Sequence, residues 1–470
     1  MDLQHNIPKK HTYVFGLISE AAASLKQPVY VVGGYVRDYY LNRLKEQPDI
    51  DFVTLGSGIK LAQEVHLLLN GSSLAVFKQF GTAQVKYQDI ELEFVGARKE
   101  SYRRDSRKPI VEDGNLEDDQ NRRDLTINAM SWSLNAEDFG ALVDPFNGMD
   151  DLKAGIIKTP VDPEQTFSDD PLRMMRAIRF ATQLDFHIHE ETFQAITNMA
   201  DRINIISKER IVDELNKIIM AQKPSSGFTM LFKTGLLKYF LPEMVDLHGV
   251  KEINGQRHKD NFWHTLQVLD NVAQASDNLW LRWAAILHDI AKPPTQRFDE
   301  TVGWTFHGHD ALGAKWTKRI FKNLGLPLDE RMKYVQKLVR LHLRPIALVS
   351  DIVSDSAIRR LIFDAGNDID DLMLLCRADI TSKNEYKVER FQQNFNKVER
   401  KIEEVEAKDH IRNWKNPLSG EEIMEALDIA PSKTVGIIKD AVREAILNGD
   451  IPNDHDAAFD YMIKHKNEFL

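Results

Sequence analysis

The hydrophobic pattern changes period about a third of the way along the chain. In the first 150 residues or so, short β-branched or alternating runs stand out. They are Val29 to Val32, Asp51-Phe52-Val53-Thr54, Val85-Lys86-Tyr87 and Leu92-Glu93-Phe94-Val95, with a turn expected at Gln88-Asp89. These predict strands mixed with helices. After Pro163 the strand signals fade, and apolar residues recur at helical spacing through to the C-terminus. Leu279, Trp280, Trp283, Ala284 and Leu287, for example, predict a helix from Leu279 to Lys292. No fixed-period repeat or low-complexity tract interrupts the pattern. The expected fold class is an α+β head followed by all-α domains. Breaks are expected near Pro160, Lys223-Pro224, Gly249 to Gly255 and Asn416-Pro417.

Composition narrows this only a little. A chain of 470 residues predicts two to four domains, and 43% hydrophobic with 28% charged residues predicts a soluble globular protein. The first residues are polar, and no apolar run approaches the ~20 residues of a membrane span, so neither a secretory signal nor a membrane partner is expected. The single cysteine, Cys376, excludes an intrachain disulfide and suits the reducing cytoplasm. A formal net charge of −10 argues against an indiscriminate nucleic-acid coat protein, though it leaves room for a local basic surface.

Candidate chemistry begins at Val31-Val32-Gly33-Gly34-Tyr35-Val36-Arg37-Asp38, which reads as strand, glycine pair, helix start. Glycines let backbone approach a ligand, a helix N-terminus offers N–H groups to phosphate, and Arg37 can add a charge-assisted contact. A plain turn would use the same glycines. Asp49-Ile50-Asp51 follows. In a strand, residues i and i+2 share a face, so Asp49 and Asp51 become neighbouring carboxylates. At ~4 Å and an effective dielectric of ~20 their repulsion is roughly 4 kcal/mol. A divalent cation such as Mg2+, bound with substrate phosphates, would justify that cost; a solvated strand end is the alternative.

Gly-Gly-x-x-Arg-Asp followed by Asp-x-Asp resembles the head of the DNA-polymerase-β-like nucleotidyltransferase superfamily, in its tRNA nucleotidyltransferase and bacterial poly(A) polymerase branch, the class II type that carries an HD domain. Three further segments resemble that branch in order. Arg122-Arg123-Asp124-Leu125-Thr126-Ile127-Asn128-Ala129 matches its RRDxTxNA motif, which implies contacts of Arg122, Arg123, Asp124 and Asn128 to triphosphate and ribose. Asp144 to Leu152 looks like its hinge motif, with Asn147 where Gly is usual, a mild change because Asn tolerates left-handed backbone. Asp169-Asp170-Pro171-Leu172-Arg173 is similar to its Glu-Asp-x-x-Arg motif, with Asp169 in place of Glu. There Asp170 and Arg173 would read the base, and Arg176 and Arg179 continue the row on one helix face. Read without the resemblance, the same residues make a helix cap and a basic stripe. The basic string of poly(A) polymerases is missing between Phe77 and Ala83, and Ala97 to Pro109 resembles the flexible loop of enzymes that add the terminal A.

In the helical half, His264, His288-Asp289 and Asp379 are similar to the HD phosphohydrolase superfamily, implying a second divalent-metal set, with His307 and His309 as possible further ligands. Leu338, Val339 and His342 share a face there. Residues 417 to 470 look like the family's tRNA-binding tail. The expected division is a nucleotidyltransferase head at 1–155, a base-recognising helical neck at 156–222, a linker at 223–256, an HD-type metal domain at 257–385 and a tail at 386–470. The expected reaction is addition of C, C and A to the 3′ end of tRNA from CTP and ATP with Mg2+, with ATP, CTP and tRNA as binding partners. A poly(A) polymerase or a metal-dependent phosphohydrolase are the alternatives.

Overall fold

Nine strands form in the first part of the chain: β1 (Val29–Val32), β2 (Asp49–Thr54), β3 (Ser73–Phe77), β4 (Thr82–Tyr87), β5 (Ile90–Gly96), β6 (Arg98–Arg103), β7 (Ser106–Asp113), β8 (Ser131–Ser133) and β9 (Leu142–Val143). Seven of them make one sheet in the order β3-β4-β5-β2-β1-β8-β9. β2 runs antiparallel to β1 and parallel to β5, placing Asp51 opposite Val32 on one side and Glu93 on the other. Alternation along β2 buries Ile50 and Phe52 and leaves Asp49 and Asp51 on the open face. Phe52 stacks on Phe94 at 5.0 Å and meets Phe15 of the helix Lys9–Leu25 edge-on at 6.0 Å. That helix packs with the helix Gly58–Leu68 over the apolar side of the sheet. One face is therefore core, and the other is free for chemistry.

The computed structural model describes residues 7–469 except 104–105, 351–353, 382–384, 410 and 413. Within it the chain divides into two compact units, Met1–Ala221 with Ser226–Tyr239, and Gln222–Ser225 with Phe240–Leu470. The four strands expected from alternation all form, and Gln88 turns with φ 55° between β4 and β5. β3 was not expected, because it is an edge strand with no fully buried position and so carries weak alternation. β8 has only three residues, all buried, and is too short to leave a periodic signal. The expected loop from Ala97 to Pro109 instead contributes to an antiparallel ribbon of β6 and β7; its tip, 104–105, lies outside the described residues.

The first unit continues in helices Pro163–Asp169, Leu172–Leu184, Glu190–Asn198 and Lys208–Ile219, the second and fourth packed together. The second unit is built on helices Asn261–Ala275, Leu279–Leu287, His309–Leu324, Glu330–Leu341 and Ile369–Ala378, with Trp283, Phe321, Leu338 and Leu372 fully buried among them. The helix expected to reach Lys292 ends at Leu287; His288 to Ala291 form a turn, and a separate short helix, Lys292–Thr295, takes Pro293 and Pro294 in its first turn, where proline is tolerated. Two small hairpins, Glu252–Ile253 with Gln256–Arg257 and Arg297–Asp299 with Gly303–Thr305, were not foreseen.

Candidate functional site

The open face of β2 carries Asp49 and Asp51, and the parallel pairing adds Glu93 beside Asp51. Three carboxylates thus share one surface. Crowding by protein pushes the Asp51 carboxyl up to about 6; nearby Arg123 opposes this, and Glu93, Asp49 and Asp119 reinforce it. All three are hard oxygen donors, which fits a Mg2+ site completed by substrate phosphates. Sequence reading missed Glu93. Its only signal was Glu91 and Glu93 alternating with buried Leu92 and Phe94.

β1 delivers the chain to this surface at Gly33. Its φ of 77° is a conformation other residues adopt at a cost, and a Cβ there would come 3.2 Å from Arg123 Nη1 and 3.7 Å from Asp51 Oδ2. Gly34, the first residue of the helix Gly34–Tyr40, has ordinary φ, and its Cβ would meet Arg37 Nη2 at 3.7 Å. Arg37, expected as a phosphate contact, has protein partners of its own. It is buried, ion-paired with Asp38 at 2.7 Å, and donates to Asn128 Oδ1 at 2.7 Å. Its guanidinium also lies 4.8 Å from the Phe180 ring centroid, whose other neighbours include Arg179 at 4.1 Å. Arg37 is thus tied to Asp38, Asn128 and Phe180 beside the glycine turn.

Asp124 and Asn128 likewise face each other. Asn128 Nδ2 donates to Asp124 Oδ1 at 3.1 Å, and Arg176 Nε donates to Asp124 Oδ2 at 2.7 Å. Asp124 is buried; desolvation would raise its pKa, but Arg176 and these hydrogen bonds bring it down to about 2. Arg179 pairs with the buried Glu214 of the helix Lys208–Ile219 at 2.7 Å. Arg122 and Arg123 both pair with Asp119, another carboxylate not singled out in the sequence.

Asp170 sits between helices Pro163–Asp169 and Leu172–Leu184. Its Oδ1 accepts from Leu172 N at 3.1 Å, and its Oδ2 lies 3.8 Å from Arg210. Arg173 donates from Nη1 to Thr166 O at 3.3 Å and from Nη2 to Arg122 O at 2.6 Å. The two sit one helical turn apart, each anchored to backbone. Asn147 adopts the left-handed conformation, φ 56°, ahead of the helix Gly148–Ala154.

The second unit gathers a different set. His264, His288 and Asp379 form one group of ligand atoms, and Asp289, His309 and His342 a second. Asp289 lies between them: Oδ2 is 3.2 Å from His288 Nε2 and 3.5 Å from His264 Nε2, and Oδ1 is 3.3 Å from His309 Nε2. His264 Nε2 to Asp379 Oδ1 is 2.8 Å. Every imidazole is held from behind through Nδ1: His288 by Ala285 O, His309 by Phe306 O, His342 by Val339 O and His264 by Thr381 Oγ1, all at 2.6–2.8 Å. This leaves each Nε2 aimed inward, the orientation a metal ligand needs. His288, His342 and Asp379 each cap the C-terminus of a helix, where the backbone favours a cation. His288 Nε2 is buried with no hydrogen bond of acceptable geometry, despite the nearby Asp289. Burial opposes charge on His288, but Asp289 and Asp379 push its pKa up to about 10; burial and His288 hold His342 down to about 4. The donor set fits a divalent transition metal. Of the expected further ligands, His309 joins the cluster, while His307 is exposed. His342 was placed on a helix face in the sequence without being assigned as a ligand.

The family model described as the poly A polymerase head domain matches residues 29–158, the probable RNA and SrmB-binding site of polymerase A matches 185–247, and the HD domain matches 261–384. An A-adding tRNA nucleotidyltransferase from Deinococcus radiodurans is 30% identical over 440 residues, covering 91% of this chain and 93% of the relative. A multifunctional CCA protein from Shewanella frigidimarina is 29% identical over 378 residues, 78% of this chain and 86% of the relative. A solved Thermotoga maritima CCA-adding enzyme complexed with tRNA aligns with a TM-score of 0.62 at 21% identity, covering 98% of this chain and 97% of that one, and so shares the fold. The head, RNA-binding and HD models follow one another along this chain, a relative 30% identical matches nearly its whole length, and the chain belongs to the tRNA nucleotidyltransferase family.

Proposed function

We propose that this protein adds C, C and A to the 3′ end of tRNA, using CTP and ATP and releasing pyrophosphate. The observation that carries the reading is the surface on which Asp49, Asp51 and Glu93 lie beside the Gly33 turn and Arg123. Asp49 and Asp51, with Glu93, would hold Mg2+, which when bound lowers the pKa of the attacking tRNA hydroxyl and neutralises charge on the leaving pyrophosphate. Gly33 and Gly34 admit the triphosphate close to backbone, and Arg122 and Arg123 neutralise its oxygens. Arg37, Asp124, Asn128, Arg176 and Arg179 brace this cradle. The head at 1–155 supplies chemistry, the neck at 156–222 reads the base, a linker at 223–256 joins them to the HD-type domain at 257–385, and the tail from 386 binds tRNA. The reducing cytoplasm suits the one cysteine, Cys376, whose buried thiol is pushed up in pKa by its surroundings.

A second reading, addition of the terminal A alone, is favoured by the name of the Deinococcus relative. Extension of tRNA lacking CCA, and of tRNA ending in CC, decides between them. Incorporation of CTP into the first substrate supports full addition, and ATP incorporation into the second alone supports the narrower one. Failure with both sinks the proposal.

Base choice is assigned to Asp170 and Arg173. Cytosine and adenine each offer an exocyclic amine beside a ring-nitrogen acceptor, which a carboxylate and a guanidinium can satisfy. Guanine and uracil set a carbonyl against the carboxylate, at roughly 1–3 kcal/mol per unpaired acceptor. Asp170→Ala should therefore relax discrimination against UTP and GTP by about tenfold or more. If Asp170 only caps the helix, the variant would lose ~1 kcal/mol of stability and keep its nucleotide preference. Four-nucleotide competition beside a thermal melt separates these outcomes.

The HD-type cluster is proposed to hold a divalent metal through His264, His288, Asp289, His309, His342 and Asp379, and to serve phosphoester hydrolysis.

A further inference from the structure

In the first unit, Asp119 carries two cations on a fully buried carboxylate: its side chain has no exposure, and Arg122 and Arg123 divide its two oxygens. Arg123 donates to Oδ2 from Nε at 3.0 Å and from Nη2 at 2.8 Å, the two-pronged geometry that fixes a guanidinium's plane as well as its place. Arg122 Nη2 donates to Oδ1. Desolvation alone would raise the pKa of Asp119, but the two arginines hold it below the usual carboxylate range, so it stays an anion.

The carboxylate is itself held rigidly. Its helix, Leu116–Asn121, opens with a reciprocal capping box between Asn115 and Asp118. The next residue, Gln120, is buried and donates through Nε2 to Ala129 O at 3.0 Å, Ser131 Oγ at 3.2 Å and Val143 O at 3.3 Å. Ser131 and Val143 lie in β8 and β9 at one edge of the sheet, and Ala129 ends the short helix Thr126–Ala129 that leads into β8. Arg123 is thus fixed at one end to the sheet through Asp119, while its Nη1 comes within 3.2 Å of where a Cβ on Gly33 would stand. Asp119 is one anion against two cations, so it does not cancel the charge of the arginine pair, and Arg123 meets the Asp51 carboxylate at the same glycine turn.

We propose that Asp119 is a positioning residue for nucleotide binding: it sets the Arg122–Arg123 pair in the orientation that receives the triphosphate. The inference rests on the reading of that pair as phosphate ligands. Long arginine side chains lose rotamer freedom on binding, and Asp119 removes that cost before the nucleotide arrives.

The test is steady-state kinetics on the full chain with tRNA ending in CC, measuring KM for ATP and for tRNA separately. Asp119→Asn keeps the shape of the side chain but loses the charge and one acceptor. KM for ATP should rise about tenfold, the loss expected for one charge-assisted hydrogen bond, with KM for tRNA moving less than about twofold. Arg123→Ala should raise KM for ATP as well, and adding Asp119→Asn to it should change little further, because the two act as one unit. Should Asp119→Asn melt early, Asp119→Asn/Arg122→Gln compared with Arg122→Gln alone removes a cation with the anion and reads the same quantity. An unchanged KM for ATP in a folded Asp119 variant, or effects that add independently to Arg123→Ala, overturns the proposal. If Arg123→Ala itself leaves KM for ATP unchanged, the phosphate role of the pair is wrong, whatever Asp119 does.

Discussion

Asp51→Ala should lower nucleotide addition by about a thousandfold or more, since it removes a carboxylate at the centre of the set that would organise the reacting phosphate. Affinity for tRNA should hold within a few-fold, because RNA binding draws mainly on cationic contacts to phosphate. Near-normal extension by the variant would end the assignment of this surface as the reaction centre. A second readout comes from stability. The Asp51 carboxyl is pushed up to about 6, so the folded state prefers it protonated. Its contribution is therefore fully favourable below the unfolded pKa near 3.8 and is lost as pH rises through about 6. In chelator, Asp51→Ala should melt at or below wild type near pH 4 and above it near pH 8. A lower melting temperature at both pH values would show that the carboxylate stabilises the sheet instead of straining it.

The second large effect is expected in the other unit. The double substitution His288→Ala with Asp289→Ala should abolish retention of divalent metal by the HD-type cluster, read by elemental analysis after gel filtration. Metal-stimulated phosphodiester hydrolysis should vanish with it. CCA addition should remain within a few-fold, because Asp49, Asp51 and Glu93 lie in the first unit and the cluster lies in the second. Asp289 is buried and paired with Lys292 at 2.5 Å, so its loss leaves that cation without its carboxylate and should also lower the melting temperature. Undiminished metal content would remove the cluster from consideration as a metal site. Loss of CCA addition in a folded variant would mean that the two chemistries are not separable.

The polar and apolar order of the sequence reaches a long way into both sites. Asp49 and Asp51 share a face because strand periodicity is two, whatever surrounds the strand. Gly33 takes positive φ at a strand-to-helix turn that the residue order alone announces. The (i, i+3) and (i, i+4) spacing of Asp119 with Arg122 and Arg123 was also present to be read, though a charge cluster at a helix start looks the same when solvated. In the second unit, helical spacing put His342 beside Leu338 and Val339, but the direction of its ring was not in the spacing.

What the sequence determined is local: which residues alternate, which turn, and which carry charge at helical or strand intervals. Only the tertiary structure decided the rest. Glu93 joins the aspartates because β5 runs parallel to β2, and a parallel neighbour is selected by sheet topology rather than by nearby residues. Arg37, Asp124 and Asn128, expected as nucleotide contacts, are also joined to one another and to Arg176 in a network, because the three are buried and buried charges must be paired. The six-residue cluster exists because the ends of five helices from across the second unit converge on Asp289. Periodicity fixes the face a side chain takes on its own element; packing fixes which other faces it meets.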